Sequence, residues 1–145
     1  MVKVATVLLL SLALVVDGVK LPSLGKLQSA AVKGRLLCDR KPYAQAKIKM
    51  YDEDFGELDD LMDTKFSDKN GAFLVSGHET EFTPIDVKIN IYHNCDDEQK
   101  ECYRKISIKI PDNFITEGKT PKKTFDVGTI NLNAKFAGET RDCLN

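Results

Sequence analysis

The sequence predicts an all-β fold, an antiparallel β-sandwich, on the strength of three observations. Hydrophobic and polar side chains alternate along short segments, which is the period of a half-buried strand and not that of a helix. Turn-forming residues (Gly, Asn, Asp and Pro) separate these segments. The 145 residues suffice for one domain. Six segments show the alternation clearly, and a short seventh is expected near DTKFS.

The first three strands are predicted in the amino-terminal half of the chain. In AAVKGRLLC and AKIKMYD, alternate residues are hydrophobic and lysines occupy the positions between them. AFLVSG follows the turn sequence SDKNG, whose Gly71 can adopt a positive φ. The residues expected on the core side of the first two strands are Val32, Leu36, Cys38, Ile48 and Met50.

The last three strands are predicted between residues 85 and 132. IDVKINIYHNC places Val87, Ile89, Ile91, His93 and Cys95 in one phase, and CYRKISIKIP does the same for Cys102, Ile106, Ile108 and Ile110. In TFDVGTINL the hydrophobic phase changes at Gly128, which predicts a β-bulge there. The polar stretch PDNFITEGKTPKK is predicted to be a connection.

The amino terminus predicts secretion. A lysine near the start is followed by a largely hydrophobic run from Val4 to Val16, which is shorter than the roughly 20 residues of a membrane-spanning helix. We therefore predict a signal peptide at 1–18 and a domain at 19–145, with cleavage after Gly18 or, as an alternative, Gly25. An uncleaved anchor is the other interpretation. We expect the protein to be secreted and extracellular.

Secretion favours disulfides for the four cysteines, Cys38, Cys95, Cys102 and Cys143. Three pairings are possible. Cys95 and Cys102 flank the six-residue loop of a predicted hairpin, so Cys95–Cys102 is the local candidate and leaves Cys38 to bind Cys143 in the tail. Zinc is the rival interpretation, since His93 lies close to Cys95, but the paired ligand spacing of structural zinc sites does not occur.

Several segments, taken in order, resemble the nematode transthyretin-like family over about residues 26–145. They are VKGRLLC, YDEDFGELDDLMD, SDKNGAF, IYHNCDDEQKECYRK, IKIPDNF, TFDVGTINL and the closing GETRDCLN. The resemblance implies a seven- to eight-strand β-sandwich of prealbumin (transthyretin) type with two intrachain disulfides. One departure concerns the first turn, where Arg40 precedes Lys41 and Pro42 while the family often has glycine. That departure leaves the type of this turn open.

The resemblance implies an extracellular binding or signalling role, since some members of the family are linked to lipid head groups or cell-surface receptors. We predict a secreted, non-enzymatic binding or recognition protein that contacts a cell-surface receptor or an anionic lipid. A carrier of a small apolar ligand is the alternative, and a hydrolase is a third. Hydroxyisourate hydrolases share the prealbumin fold, but their Tyr-Arg-Gly-Ser ending is replaced here by residues 141–145, RDCLN. Catalytic residues, a cofactor and a resident metal are not predicted. The net charge of −1 argues against a nucleic-acid partner, and no transmembrane segment is expected.

Two histidines could act as general bases near neutral pH. His93 lies on the inward phase of its strand, so we expect it to be packed and hydrogen-bonded. His78 is expected in a loop.

Charged residues form two further features. The segment YDEDFGELDDLMD could be a helical turn or a long loop. We expect a solvated acidic loop held to the core by Leu58, Leu61 and Met62, with a calcium site as the alternative. A basic surface that could bind anionic lipid is predicted from Lys105, Lys109, Lys119, Lys122 and Lys123, and an ordinary solvated face is its alternative.

Overall fold

Two β-sheets pack face to face in the computed structural model, which describes residues 24–145. The predicted signal peptide lies outside the described residues. The strands are β1 (Lys26–Cys38), β2 (Lys41–Pro42), β3 (Lys47–Asp52), β4 (Asp60–Phe66), β5 (Ala72–Glu81), β6 (Val87–His93), β7 (Tyr103–Lys109), β8 (Thr116–Glu117), β9 (Thr124–Asn131) and β10 (Thr140–Asp142). A 3-10 helix at Asp112–Phe114 precedes β8.

The predicted sandwich is confirmed. One sheet is built around β1, which pairs with β2, β5, β8 and β9, and the other has the order β10-β7-β6-β3-β4. All of these pairs are antiparallel except β1 with β9, which is parallel. The parallel pair joins distant parts of the chain, which is why local alternation does not predict it.

The inward phases of the strands meet in one continuous core. The five positions of IDVKINIYHNC that were expected to face inward are all buried: Val87, Ile89, Ile91 and His93 in β6, and Cys95 just after it. Fully buried aliphatic side chains fill the space between the layers, and they include Val32, Leu36, Ile48, Met50, Val75, Ile85, Val87, Ile89, Ile91 and Leu132. Apolar burial at about 25 cal/mol per Å² is therefore the main force that holds the sheets together.

Two turn features follow from backbone conformation. Asp39 and Arg40 both have positive φ (50° and 66°) and link the paired residues Cys38 and Lys41. A two-residue turn with both φ values positive is of type I′, which matches the twist of a hairpin. The predicted bulge at Gly128 is confirmed, because the β1–β9 register shifts there and Gly128 has φ 76°.

The acidic segment and His78 differ from their predictions. From Asp60 onward the segment is strand β4, which pairs with β3 at the edge of its sheet. Leu58 and Leu61 are exposed, and only Met62 packs against the core, because the two-residue period of a strand puts Met62 and Leu61 on opposite faces. His78 lies within β5, paired with Ser29, and not in a loop.

Candidate binding surface at the open end of the sandwich

Both disulfides lie at one end of the sandwich, which we call the disulfide end (Cys38, Cys95, Cys102 and Cys143). The bonds are Cys38–Cys95 and Cys102–Cys143, with Cα–Cα distances of 5.8 Å and 4.4 Å. The predicted pairing was therefore wrong. All four cysteines are disulfide-bonded, so none offers a thiolate to the zinc site that was the rival interpretation.

The correct pairing follows from how the chain leaves the β6–β7 ladder. The last ladder pair is His93 with Arg104, and beyond it Asp96 and Cys102 both have positive φ. Cys95 is fully buried and bonds to the end of β1, while Cys102 bonds across to the residue that follows β10. The first bond ties the two sheets together, and the second anchors the tail within one sheet.

Buried polar contacts reinforce the disulfide end. The Arg104 guanidinium donates to both carboxylate oxygens of Glu139 and to the backbone carbonyls of Cys95, Leu132 and Ala134. His93 is packed and hydrogen-bonded as expected, since its Nδ1 accepts the backbone N–H of Cys95 at 3.1 Å. These contacts tie the end of the β6–β7 hairpin to the segment between β9 and β10.

The opposite end, which we call the open end, consists of loops 53–59, 82–86 and 110–123 with the start of β1. Strands β3, β5 and β7 end here, and β6 begins here. No disulfide reaches it, because the four cysteines are all used at the other end. Its geometry depends on strand ends, hydrogen bonds and ion pairs.

Large hydrophobic side chains project from separate loops of the open end. Phe55 and Leu58 lie in the β3–β4 loop and Phe82 follows β5, and all three are largely or fully exposed. Leu24, just before β1, is also exposed. Burying a side chain of this size stabilises a protein or a complex by about 1.5–3 kcal/mol. Several such side chains exposed at one end of the sandwich are therefore typical of a surface that binds a partner.

Ion pairs connect the loops of the open end to the neighbouring strands β6 and β7. Lys88 Nζ lies 2.6 Å from Asp59 Oδ2 and 3.5 Å from Glu53 Oε1. Lys109 Nζ lies 3.2 Å from Glu53 Oε2 and 3.1 Å from Asp86 Oδ2. Glu53 therefore bridges two lysines that belong to β6 and β7, and the network connects the β3–β4 loop to both neighbouring strands.

Asp52, at the end of β3, is the most unusual group of the open end. It is 2 % exposed, and its Oδ1 accepts the backbone N–H of Asp86 at 2.7 Å. Burial raises the pKa of Asp52 to about 6. One oxygen from each of Asp52, Asp54 and Glu81 lies within 4.8 Å of the other two. The sequence marked this region as acidic but did not indicate that Glu81 joins it from the other sheet.

The five predicted lysines are distributed over two regions. Lys119, Lys122 and Lys123 are exposed in the loop before β9, and Lys109 lies at the same end of the sandwich. Lys123 Nζ donates to the backbone carbonyl of Asn113 at 3.0 Å. Lys105 shares the outer face of β7 with Lys109, as expected, but lies toward the disulfide end, where its Nζ is 3.5 Å from Asp142 Oδ2.

The transthyretin-like family profile (TTR-52) matches residues 33–111 of this chain. The chain is also 50 % identical over 123 residues to transthyretin-like protein 5 of Caenorhabditis elegans, covering 84 % of this chain and 88 % of that relative. Transthyretin-like protein 33 of the same organism is 49 % identical over 119 residues, covering 81 % and 83 %. The chain belongs to the transthyretin-like family.

Transthyretin-like protein 2 of Caenorhabditis elegans is 38 % identical over 143 residues and covers 94 % of this chain and 97 % of that relative. Among solved structures, a 9R-lipoxygenase from Cyanothece matches 71 % of this chain and 16 % of its own at 22 % identity and a TM-score of 0.40, too low to support any argument. Within residues 24–145, no helix is long and apolar enough to cross a membrane.

The two histidines of this transthyretin-like chain are not brought together. His93 is 1 % exposed at the disulfide end, and burial and the nearby Arg104 lower its pKa to about 4. His78 lies on β5 toward the open end, opposite Ser29. A buried, neutral imidazole has no access to a substrate in solvent, so His93 acts as a packing and hydrogen-bonding residue.

Proposed function

We propose that this transthyretin-like protein is a secreted, non-enzymatic recognition protein that binds an anionic lipid surface through its open end. The observation that carries the proposal is the exposure of Phe55, Leu58 and Phe82 on separate loops at one end of a rigid sandwich. Side chains at loop tips can enter a lipid interface together, whereas a protein partner usually presents its apolar contacts on a broader surface.

The exposed lysines of the 110–123 segment support the same orientation. Lys119, Lys122 and Lys123 are exposed at the open end, and each basic residue near an anionic membrane contributes about 1 kcal/mol. The ion pairs of Lys88 and Lys109 offset Glu53, Asp59 and Asp86, which reduces the repulsion that these carboxylates would exert on anionic head groups.

Secretion is supported by the predicted signal peptide at 1–18 and by two disulfides, which persist in oxidising compartments. A non-enzymatic role is supported by the burial of His93 and by its separation from His78. The filled interior favours recognition at the surface over transport of a ligand between the sheets.

The test is co-sedimentation of the mature protein with phosphatidylcholine liposomes, with and without phosphatidylserine, across a salt series. We expect binding only to the anionic vesicles, weakened by salt because screening shortens the range of the lysine contacts. The double variant Phe55→Ser, Phe82→Ser should reduce vesicle binding about tenfold or more, since two buried phenyl groups contribute well over 1.4 kcal/mol.

Phe66→Ser is the matched control, because Phe66 is also exposed but ends β4 far from the open end. An equal loss in the control, or no binding to either vesicle type, would contradict the proposal and direct the search to a protein receptor on the cell surface.

The carrier alternative has one observation in its favour. A groove of about 480 Å³ lies on the outer face of the β1 sheet, lined by residues that include Gly34, Phe73 and Leu74. This volume falls in the range of small-molecule sites. If the groove takes an apolar ligand, the fluorescence of bound anilinonaphthalene sulfonate should fall in Leu74→Lys; equal fluorescence would argue against the groove.

A further inference from the structure

Three carboxylates from both sheets converge at the open end. Asp52 is the last residue of β3 and Glu81 is the last residue of β5, so they belong to different sheets. Asp54 follows two residues after Asp52 in the β3–β4 loop. One oxygen of each lies within 4.8 Å of the others, about twice the 2.3–2.6 Å length of a calcium–oxygen bond. Small adjustments of these side chains would therefore let a single ion contact all three.

Asp52 supplies a second, independent observation. Its side chain is 98 % buried, and while Oδ1 accepts the N–H of Asp86, Oδ2 has no hydrogen-bond partner within the described part of the chain. A buried carboxylate oxygen without a donor is unfavourable, and native proteins rarely leave one. A cation at the cluster would remove that penalty.

Neighbouring cations do not take this role. Lys88 contacts Asp59 and Glu53, and Lys109 contacts Glu53 and Asp86. No ion pair to Asp52, Asp54 or Glu81 is present between residues 24 and 145. The two lysines therefore pair with Glu53, Asp59 and Asp86. The negative charges of Asp52, Asp54 and Glu81 are not neutralised by these lysines and repel one another.

We propose that Asp52, Asp54 and Glu81 form a calcium site that joins the two sheets at the open end. The donors are all carboxylate oxygens, which calcium prefers, and the cluster contains no histidine or cysteine of the kind that zinc selects. Water completes the six to eight ligands that calcium takes, while the strict octahedron of magnesium suits three carboxylates on two sheets less well. Phe55 directly follows Asp54 in the sequence, and Phe82 directly follows Glu81.

The experiment is calorimetric titration of the mature protein with calcium chloride at pH 7.5, paired with thermal unfolding at increasing calcium. Extracellular modules bind calcium with a Kd of about 10⁻⁴–10⁻³ M, so about 10 mM should raise the melting temperature by about 5 °C. Magnesium at the same concentration should give a smaller shift. No lipid is present, so the result is independent of the proposed membrane role.

Asp52→Asn and Glu81→Gln should each abolish most of the calcium shift. Glu57→Gln is the matched control, because it removes one carboxylate from the same loop outside the cluster. In the absence of calcium, Asp52→Asn should melt higher than the natural protein, since it removes a buried charge while keeping an acceptor for Asp86 N–H. That rise shows that the variant is folded.

Two outcomes would overturn the proposal. One is the absence of heat and of any thermal shift in the natural protein at about 10 mM calcium. The other is an equal shift in Asp52→Asn and Glu57→Gln, which would indicate general screening of an acidic surface and not a site.

Discussion

Arg104 holds Glu139 through a two-point contact, with Nε 2.6 Å from Oε1 and Nη2 2.9 Å from Oε2. Arg104 is on β7 and Glu139 immediately precedes β10, so the pair brings the carboxyl-terminal strand to its neighbour. Three further hydrogen bonds run from the same guanidinium to backbone carbonyls. The contact with Arg104 lowers the pKa of Glu139, which keeps the carboxylate charged.

Arg104→Lys should lower the free energy of unfolding by about 2–4 kcal/mol, because an ammonium group can contact Glu139 but cannot also reach the three carbonyls in a fixed planar arrangement. Urea unfolding measures the change. Arg35→Lys is the control, since Arg35 is exposed and makes one side-chain hydrogen bond, to Asn70. Similar losses in the two variants would mean that the Arg104 network does not stabilise the fold.

Disulfide pairing can be read by digestion with trypsin without reduction. Cleavage after Lys100 separates Cys95 from Cys102, so each pairing gives different linked peptides. We expect peptide 36–40 to be linked to 89–100 and peptide 101–104 to 142–145, as Cys38–Cys95 and Cys102–Cys143 require. Mass spectrometry identifies the pairs, and a link between 89–100 and 101–104 would contradict the structure.

Removing either disulfide should reduce stability by a similar amount. The sequence separations are 57 and 41 residues, and loop closure of that length is worth about 4 kcal/mol in the chain-entropy model. The double variant Cys38→Ser, Cys95→Ser should also weaken sheet-to-sheet packing, because Cys95 is fully buried, whereas Cys102→Ser, Cys143→Ser should chiefly release the tail. Amide hydrogen exchange distinguishes the two variants, because it reports separately on the strands of the core and on the tail. Exchange that increases equally over the whole domain in both variants would contradict this prediction.

The strands and their inward faces could be predicted from the sequence because alternation is local. The buried positions of β6 and the bulge at Gly128 depend only on neighbouring residues and on one glycine conformation. The parallel contact of β9 with β1 depends on residues about ninety positions apart and had no local signal. The alternation of hydrophobic and polar residues therefore predicted which side chains face the core. It did not predict which strands pair with one another.

Cysteine pairing and the open end could not be predicted for related reasons. Cys95 and Cys102 occupy opposite positions in the hairpin register, but the positive φ values at Asp96 and Cys102 turn the chain away from that register. No sequence signal indicated that β4 begins at Asp60, so Leu58, which is exposed in the loop, could not be separated from Met62, which packs from the strand. The meeting of Asp52 with Glu81 required both sheets to be in place.

His93 should make stability depend on pH. Burial and the nearby Arg104 lower its folded-state pKa to about 4 from the ordinary 6.5 of histidine, so between these values the unfolded chain binds more protons than the folded one. His93 alone should therefore lower the free energy of unfolding by about 3 kcal/mol as the pH drops from about 7 to about 4, and should change it little below that. The raised pKa of Asp52 acts in the opposite direction over the same range, so the contribution of His93 is measured against a variant that keeps Asp52.

The neighbouring carboxylates Glu139 and Asp97 have lowered pKa values, because Arg104 and Arg141 donate to them, so they stay charged over most of this range. His93→Asn is the control, since its side-chain oxygen can accept the N–H of Cys95 in place of Nδ1 but does not titrate. Urea unfolding at several pH values should show that the difference in unfolding free energy between the two proteins changes by about 3 kcal/mol from pH 7 to pH 4, because only the natural protein loses stability through protonation of His93. Curves that remain parallel from pH 7 to pH 4 would show that His93 is not the group whose protonation destabilises the fold.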